Sequence, residues 1–239
     1  SHVAVYKRPR VAILSTGDEL CDLHDQKAPH QIYNSNGYGL AAQVTEAYGI
    51  PIQIGIAKDT RADLGKKLEA ASEADFILIS GGVSVGDYDF VKAVLSEKGN
   101  LDFWRIAIKP GKPLAFGKIF GKPTWGLPGN PVSAMVTFDQ FVRPALLRAQ
   151  GAQHCFLPVM QAKLTEDIHK EVGRRHYIRG RLSIKEGIYC IAPTCDQDSA
   201  NLLSFVEANA YIVISEEAET VKADSQVMVQ ILSHDVGFL

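Results

Sequence analysis

The 239-residue chain is poor in cysteine, with Cys21, Cys155, Cys190 and Cys195 scattered and no CxxC pair. That scatter excludes a disulfide-framed secreted module and offers no zinc-ligand spacing; it reads as free thiols in a reducing, cytoplasmic compartment. No apolar run approaches the ~20 residues that a bilayer-spanning helix needs, and no signal peptide is visible, so no membrane role is expected. Charge imbalance is also lacking. Twenty-five basic residues stand against 27 acidic ones, for a formal net charge of −2. A dedicated nucleic-acid binder usually carries a strong basic excess, so nucleic acid is not an expected partner. Internal repeats and low-complexity segments are absent. Hydrophobic residues at 46% leave ample material for one large core or two modest ones. Ser1-His2 reads as a tag remnant and is left out of the fold argument.

The most informative stretch that is present is an apolar run, residues 76–79. It feeds into Ser80-Gly81-Gly82-Val83-Ser84-Val85-Gly86-Asp87-Tyr88-Asp89, ahead of an expected helix. Glycines allow φ > 0 and let a ligand approach the main chain. Backbone N–H groups ahead of a helix suit an oxyanion, and carboxylates on the same rim suit Mg²⁺, which bridges to substrate phosphates. The plain alternative is a glycine-rich turn. Three more apolar segments end the same way, in Thr16-Gly17-Asp18-Glu19-Leu20, in Lys109-Pro110-Gly111-Lys112-Pro113 and in Gly126-Leu127-Pro128-Gly129-Asn130-Pro131-Val132-Ser133. In an open α/β sheet such loops gather along one edge. Two lysines with Asp18, Glu19, Asp87 and Asp89 suit a polyanion held partly by cations and partly through a metal.

Residues 11–148 alternate strand and helix signals. Helical stripes occur at Leu40, Ala41, Val44 and Ala47, then at Leu64, Leu68 and Ala71, then at Phe90, Val91, Val94 and Leu95. Strand signals lie at 11–15, at Ile52, Ile54 and Ile56, at 76–79, and as two or three short strands over 101–127. Pro131 marks a helix start, and that helix is expected to run to about Leu147. After residue 149 shorter apolar–polar alternations and close turns at Glu186-Gly187 and Ala223-Asp224 take over, with one short helix near 202–209. The expected fold is α/β: a three-layer, mostly parallel sheet domain over 11–148, then a small β-rich, barrel-like domain over 149–239, with 1–10 as a connecting segment.

These motifs, in this order, resemble the molybdopterin molybdenumtransferase family, the MoeA-type molybdenum insertases. The resemblance rests on the stretches 16–20, Ile32-Tyr33-Asn34-Ser35-Asn36, 81–87, 109–113 and 126–133. It continues in Gly173-Arg174-Arg175-His176-Tyr177-Ile178-Arg179-Gly180 and Asn209-Ala210-Tyr211-Ile212-Val213. It implies the last two of four insertase domains, without the two N-terminal ones, in a family of dimers whose site borrows from the partner's N-terminal region. The implied reaction couples molybdate to adenylylated molybdopterin, releases AMP and uses a divalent cation.

Carried onto this chain, the resemblance makes Glu19, Asp87, Lys109 and Lys112 the catalytic group, with Glu19 and Asp87 as Mg²⁺ ligands. Substrate binding falls to Thr16, Gly17, Ser80, Gly81, Gly82, Ser84 and Gly86, to Pro128, Gly129, Asn130 and Ser133, and to Arg174, Arg179 and Ser199. Each has a plainer reading. The lysines would be solvated loop charges. Asp18 would cap a helix-like start beyond Thr16, and the arginines would make surface pairs. Asn34 stands where many relatives have Asp, and Gln197-Asp198-Ser199-Ala200-Asn201 lacks the glycine often found in that turn. Two other functions remain in view. Molybdopterin adenylyltransferases typically carry Gly-Gly-Thr-Gly where this chain has Gly81-Gly82-Val83-Ser84-Val85-Gly86, and they lack the appended β domain. A noncatalytic scaffold need not keep the charged loop residues. A homodimer and a molybdopterin adenylyltransferase are the expected partners.

Overall fold

Strand β1 (Arg10–Thr16) is buried on both faces, as a central strand between two helical layers must be. A computed structural model describes residues 2–82, 89–194 and 196–232, without the side chains of 89–92 and 103. After β1 come β2 (Leu20–Cys21), β3 (Ile32–Tyr33), α1 (Ser35–Glu46), β4 (Ile50–Ala57), α2 (Arg61–Ala71), β5 (Phe76–Ser80), α3 (Asp89–Lys98) and β6 (Gly99–Arg105). Then follow β7 (Ile108–Lys109), β8 (Pro113–Ile119), β9 (Lys122–Leu127), α4 (Pro131–Thr137), a π-helical turn at Phe138–Val142 and α5 (Arg143–Ala149). The turn has a local cause. Pro144 lacks an N–H and its ring crowds the carbonyl four residues back, so the helical ladder widens there.

The chain divides into two compact units, Ser1–Ile106 with Pro113–Phe156, and Ala107–Lys112 with Leu157–Leu239. The first unit is built on a six-stranded sheet in the order β4-β1-β5-β9-β8-β6. The four strands β4, β1, β5 and β9 run parallel to one another, and β8 and β6 extend the sheet antiparallel. Alternate residues of β1 feed two cores. Ala12 and Leu14 pack with Leu64, Leu68 and Leu95 of α2 and α3, while Val11 and Ile13 pack with Leu40, Val44, Phe138 and Leu146 on the α1, α4 and α5 side. The sheet is thus a middle layer between helices.

The second unit holds β10 (Val159–Leu164), β11 (Ile168–His169), β12 (Arg175–Lys185), β13 (Ile188–Pro193), α6 (Leu203–Val206), β14 (Ala210–Ile214), β15 (Thr220–Val221) and β16 (Gln226–Ile231). Strands β13-β10-β16-β14-β12 follow one another, and β12 pairs back with β13, closing a five-stranded barrel. Leu164, Ile178, Leu182, Ile191, Ile212 and Val229 fill it. Glu186 and Gly187 make the two-residue turn between β12 and β13, both at positive φ (52° and 79°), the conformation that a tight hairpin demands.

One segment leaves the α/β unit. The two residues of β7 pair in parallel with Arg175 and His176 of β12, so Ala107–Lys112 belongs with the barrel although it lies between β6 and β8 in sequence. No helix among the described residues is long and apolar enough to cross a membrane.

Candidate functional site

In the first unit the chain leaves β1 through α1 to reach β4 on one side, then returns through α2 to β5 on the other side of β1. The order therefore reverses between β1 and β5. A crevice opens at the carboxyl ends of strands at such a switch point, and ligands of open α/β sheets bind there. Thr16 ends β1 and Ser80 ends β5, with Ser15 and Ser80 in register. The Gly81 N–H donates to Leu127 O at 3.1 Å, which ties the loop after β5 to the end of β9.

Gly81 takes φ +89°, and a β-carbon there would lie 2.7 Å from Thr16 O. Only glycine lets these two turns close on each other. Gly129 approaches from the third loop, where a β-carbon would stand 3.8 Å from the Gly81 Cα. Thr16, Ser80, Gly81 and Gly129 are thus gathered on one rim. Gly17 lies on the same rim, and the space a β-carbon would need there is filled by the Glu19 carboxylate, which folds back over it. Gly82 follows at positive φ. Ser84, Gly86 and Asp87 lie outside the described residues, as does the side chain of Asp89.

The residue that joins these loops is Asn36, in the first turn of α1. Its Nδ2 donates to Ser80 Oγ at 2.7 Å and to Gly129 O at 2.8 Å. Among the described residues its Oδ1 is buried without a partner, as is the Thr16 hydroxyl. Buried polar atoms normally find a partner, so two orphans in one crevice mark where a ligand or water completes the set. Sequence reasoning missed Asn36 as a site residue; its signal was the polar triplet Asn34-Ser35-Asn36 ahead of a helix. Asn34 has a structural task instead. Its side chain accepts from the Gly37 N–H at 3.1 Å as the N-cap of α1 and from Ser15 Oγ at 2.9 Å.

Asp18 differs from expectation, because no helix follows Thr16. A turn closes there through Leu20 N to Gly17 O, and Asp18 Oδ1 accepts from the Asp59 N–H at 3.0 Å, joining the loops after β1 and β4. Beside it lies a cleft of about 540 Å³ lined by Gly17, Asp18, Leu20, Cys21, Asp25, Gln31, Ile56 and Lys58. In the third loop, Pro128 and Ser133 are buried, Asn130 is the N-cap residue of α4, and Pro131 starts the helix. Among the described residues no group of three or more His, Cys, Asp or Glu is placed to hold a metal.

The remaining candidates belong to the barrel unit. Lys109 and Lys112 are exposed. The register sets Lys109 beside His176 on the adjacent strand. Arg174 is half-buried and paired with Glu171 at 3.2 Å. The plainer reading of Arg179 as a surface ion pair does not hold. Arg179 is 1% exposed, with Nε donating to Ser204 Oγ at 3.1 Å and Nη2 to Asp196 O and Asp198 O at 3.4 and 3.3 Å. Gln197 locks onto the same residue, accepting from its N–H at 3.0 Å and donating to its carbonyl at 3.1 Å. Arg179 therefore holds the loop that carries Ser199. Burial lowers the guanidinium's proton affinity, and Tyr211, Asp196 and Asp198 oppose that.

Residues 12–148 match the family described as "Probable molybdopterin binding domain", and residues 161–232 match the MoeA C-terminal region (domain IV). The molybdopterin molybdenumtransferase of Haemophilus influenzae is 39% identical over 240 residues, covering 99% of this chain and 59% of that protein. That of Nostoc sp. is 39% identical over 219 residues, covering 89% and 50%. The crystal structure of the molybdopterin biosynthesis MoeA protein from Pyrococcus horikosii superposes with a TM-score of 0.80 at 32% identity, covering 95% of this chain and 55% of that one. The chain thus spans between half and three-fifths of these relatives' length. With the switch-point crevice in its first unit and a domain IV barrel in its second, this chain belongs to the molybdopterin-binding domain family, in the arrangement found in MoeA proteins.

Proposed function

We propose that the chain serves molybdenum cofactor biosynthesis as part of a molybdopterin molybdotransferase, which inserts molybdate into adenylylated molybdopterin with release of AMP. The observation that carries this is the crevice between β1 and β5. There Asn36 joins the Ser80 and Gly129 loops, and two buried oxygens, Thr16 Oγ1 and Asn36 Oδ1, have no partner among the described residues. A phosphate-bearing ligand is suited to the backbone donors of such glycine-rich turns. Gly17, Gly81, Gly82, Gly86, Ser80, Ser84, Pro128, Gly129, Asn130 and Ser133 are assigned to it.

The oxyanion is assigned to the barrel unit. Lys109 and Lys112 supply charge, Arg174 and Ser199 supply donors, and Arg179 acts by holding the Ser199 loop. Molybdate is a tetrahedral dianion, so charge-assisted contacts of this kind contribute about 1.5–3 kcal/mol each. Mg²⁺ takes one or two carboxylates plus substrate phosphates. The exposed Glu19 carboxylate on the rim fits that ligand set, with Asp87 as its proposed companion, and the ion would neutralise charge on the departing AMP.

A MoeA domain IV match over 161–232 favours this reading over an adenylyltransferase. The partners proposed are a second copy of the protein and a molybdopterin adenylyltransferase as supplier, in the cytoplasm. The test is molybdate-dependent AMP release from adenylylated molybdopterin by this chain, alone and joined to the N-terminal region of a relative. Slow release alone and faster release when joined is the expected result. No release in either form, with no AMP or molybdate binding, would leave a noncatalytic scaffold.

A further inference from the structure

The buried imidazole of His176 has no task in the reaction as assigned above. It is 6% exposed, on the same face of β12 as the core residue Ile178, and its Nε2 has no hydrogen-bond partner among the described residues. A buried polar atom left unmatched costs free energy, so a missing partner has to be sought. The register supplies one. Lys109 on β7 is paired with His176, so both side chains leave the same face of adjacent strands. The Lys109 side chain makes no hydrogen bond or ion pair among the described residues.

The charges facing His176 decide which way a bond between them runs. Lys170, just before β12, is itself buried, with its ammonium donating to Glu171 O and Arg174 O at 3.0 Å and to Glu216 O at 3.5 Å. Arg174 is paired with Glu171, and Arg175 with Glu216 beyond β14. Burial first, then the cations Lys170, Lys109 and Arg174, push the His176 pKa down to about 4, against an opposing pull from Glu171. The ring is therefore neutral near pH 7. A neutral imidazole has one bare nitrogen, an acceptor, and an ammonium is a donor only.

We propose that His176 is a positioning residue for Lys109, its bare Nε2 accepting a hydrogen bond from the Lys109 ammonium and so fixing that cation at the end of the barrel. A lysine on a four-carbon stem is a mobile point charge, and a fixed acceptor beneath it restricts the ammonium without neutralising it. A carboxylate would hold the lysine too, but it would cancel the charge that an oxyanion needs. The inference rests on the reading of Lys109 as an oxyanion ligand for its purpose, though not for the contact itself.

The two can be tested apart. Long-range proton–nitrogen spectra of the whole chain at pH 7 report the His176 tautomer without any ligand. The expected result is a bare Nε2 whose shift moves in Lys109→Ala. A protonated Nε2, or a shift indifferent to Lys109→Ala, overturns the contact. Molybdate calorimetry then reads its use. His176→Phe, which removes the acceptor, is expected to weaken binding about tenfold or more. His176→Gln, whose amide oxygen can reach the position of Nε2 and restore a neutral acceptor, is expected to recover most of it, and that recovery also answers any loss of fold in the Phe variant. Wild-type affinity in both His176 variants, with loss in Lys109→Ala, overturns the positioning role and keeps the site. Wild-type affinity in Lys109→Ala as well overturns the oxyanion reading and the purpose given to His176 with it.

Discussion

Replacing Asn36 is the sharpest test of the crevice, because one side chain bonds to two loops and keeps its Oδ1 unpartnered among the described residues. Asn36→Ala removes the donations to Ser80 Oγ (2.7 Å) and Gly129 O (2.8 Å). A hydrogen bond contributes about 0.5–1.5 kcal/mol net, so two are worth ~1–3 kcal/mol, toward the lower end here because exposed Gly129 regains water. For a chain of this size about 2–4 °C of melting temperature follows each kcal/mol, so a drop of a few degrees is expected. Asn36→Asp differs in kind. The Ser80 hydroxyl can turn and donate, but carboxylate and Gly129 carbonyl oxygens would face each other at hydrogen-bond distance with no proton between them. The new charge also sits where a phosphate is expected. Asn36→Asp should therefore melt no higher than Asn36→Ala and bind AMP more weakly. Differential scanning fluorimetry and AMP calorimetry on the three proteins decide it. If Asn36→Asp bound AMP as well as the wild type and both variants melted with it, neither the bridge nor the ligand's position would stand.

Other expectations follow from the same geometry. Gly81→Ala forces a side chain to φ +89° and within 2.7 Å of Thr16 O, so a loss of more than about 2 kcal/mol by urea titration is expected, with AMP binding abolished. Lys112→Ala removes an exposed cation without a partner among the described residues, so stability should stay within about 0.5 kcal/mol while molybdate affinity falls roughly tenfold to a hundredfold by calorimetry. Arg179→Met leaves Asp196 O and Asp198 O without their donor, so faster hydrogen exchange confined to 196–204 should accompany a loss of about 1–3 kcal/mol; uniform exchange across the barrel would contradict its role as a loop clamp. His176 has a pKa of about 4 in the folded chain against about 6.5 unfolded, so the unfolded state binds the extra proton and stability falls with pH from 6.5 towards 4. Between pH 7 and pH 5 that is about 2 kcal/mol, and urea titrations of His176→Asn should show the acid loss reduced by that amount.

Features written in local periodicity were legible, and features made by distant pairing were not. The doubly buried β1 and β5 read directly from apolar runs, and α1 and α2 from their stripes, because a strand between two helical layers or an amphipathic helix leaves its period in consecutive residues. Pro131 and the Glu186-Gly187 turn read from single-residue backbone preferences. By contrast Ile108 and Lys109 form a strand of two residues, too short for any period, whose partner lies more than sixty positions away on β12. Nothing local assigns them to the barrel. Asp18 suggested a helix because acidic residues after Thr16 imitate an N-terminus; the turn to Leu20 and the bond to Asp59 depend on β4, which the motif does not contain. Arg179 is the instructive case. An arginine is expected outside, and residue type alone offers surface or ligand as its two fates. The third fate, burial as the donor for loop carbonyls, needs acceptors from residues 196–204, and they converge on it only when β12 and that loop are folded together. The charged residues that motif matching brings forward are therefore of two kinds. Lys109 and Lys112 have exposed side chains without a partner among the described residues, whereas Nε and Nη2 of Arg179 are engaged by the fold; the distinction lies in hydrogen-bond partners that only the folded chain supplies.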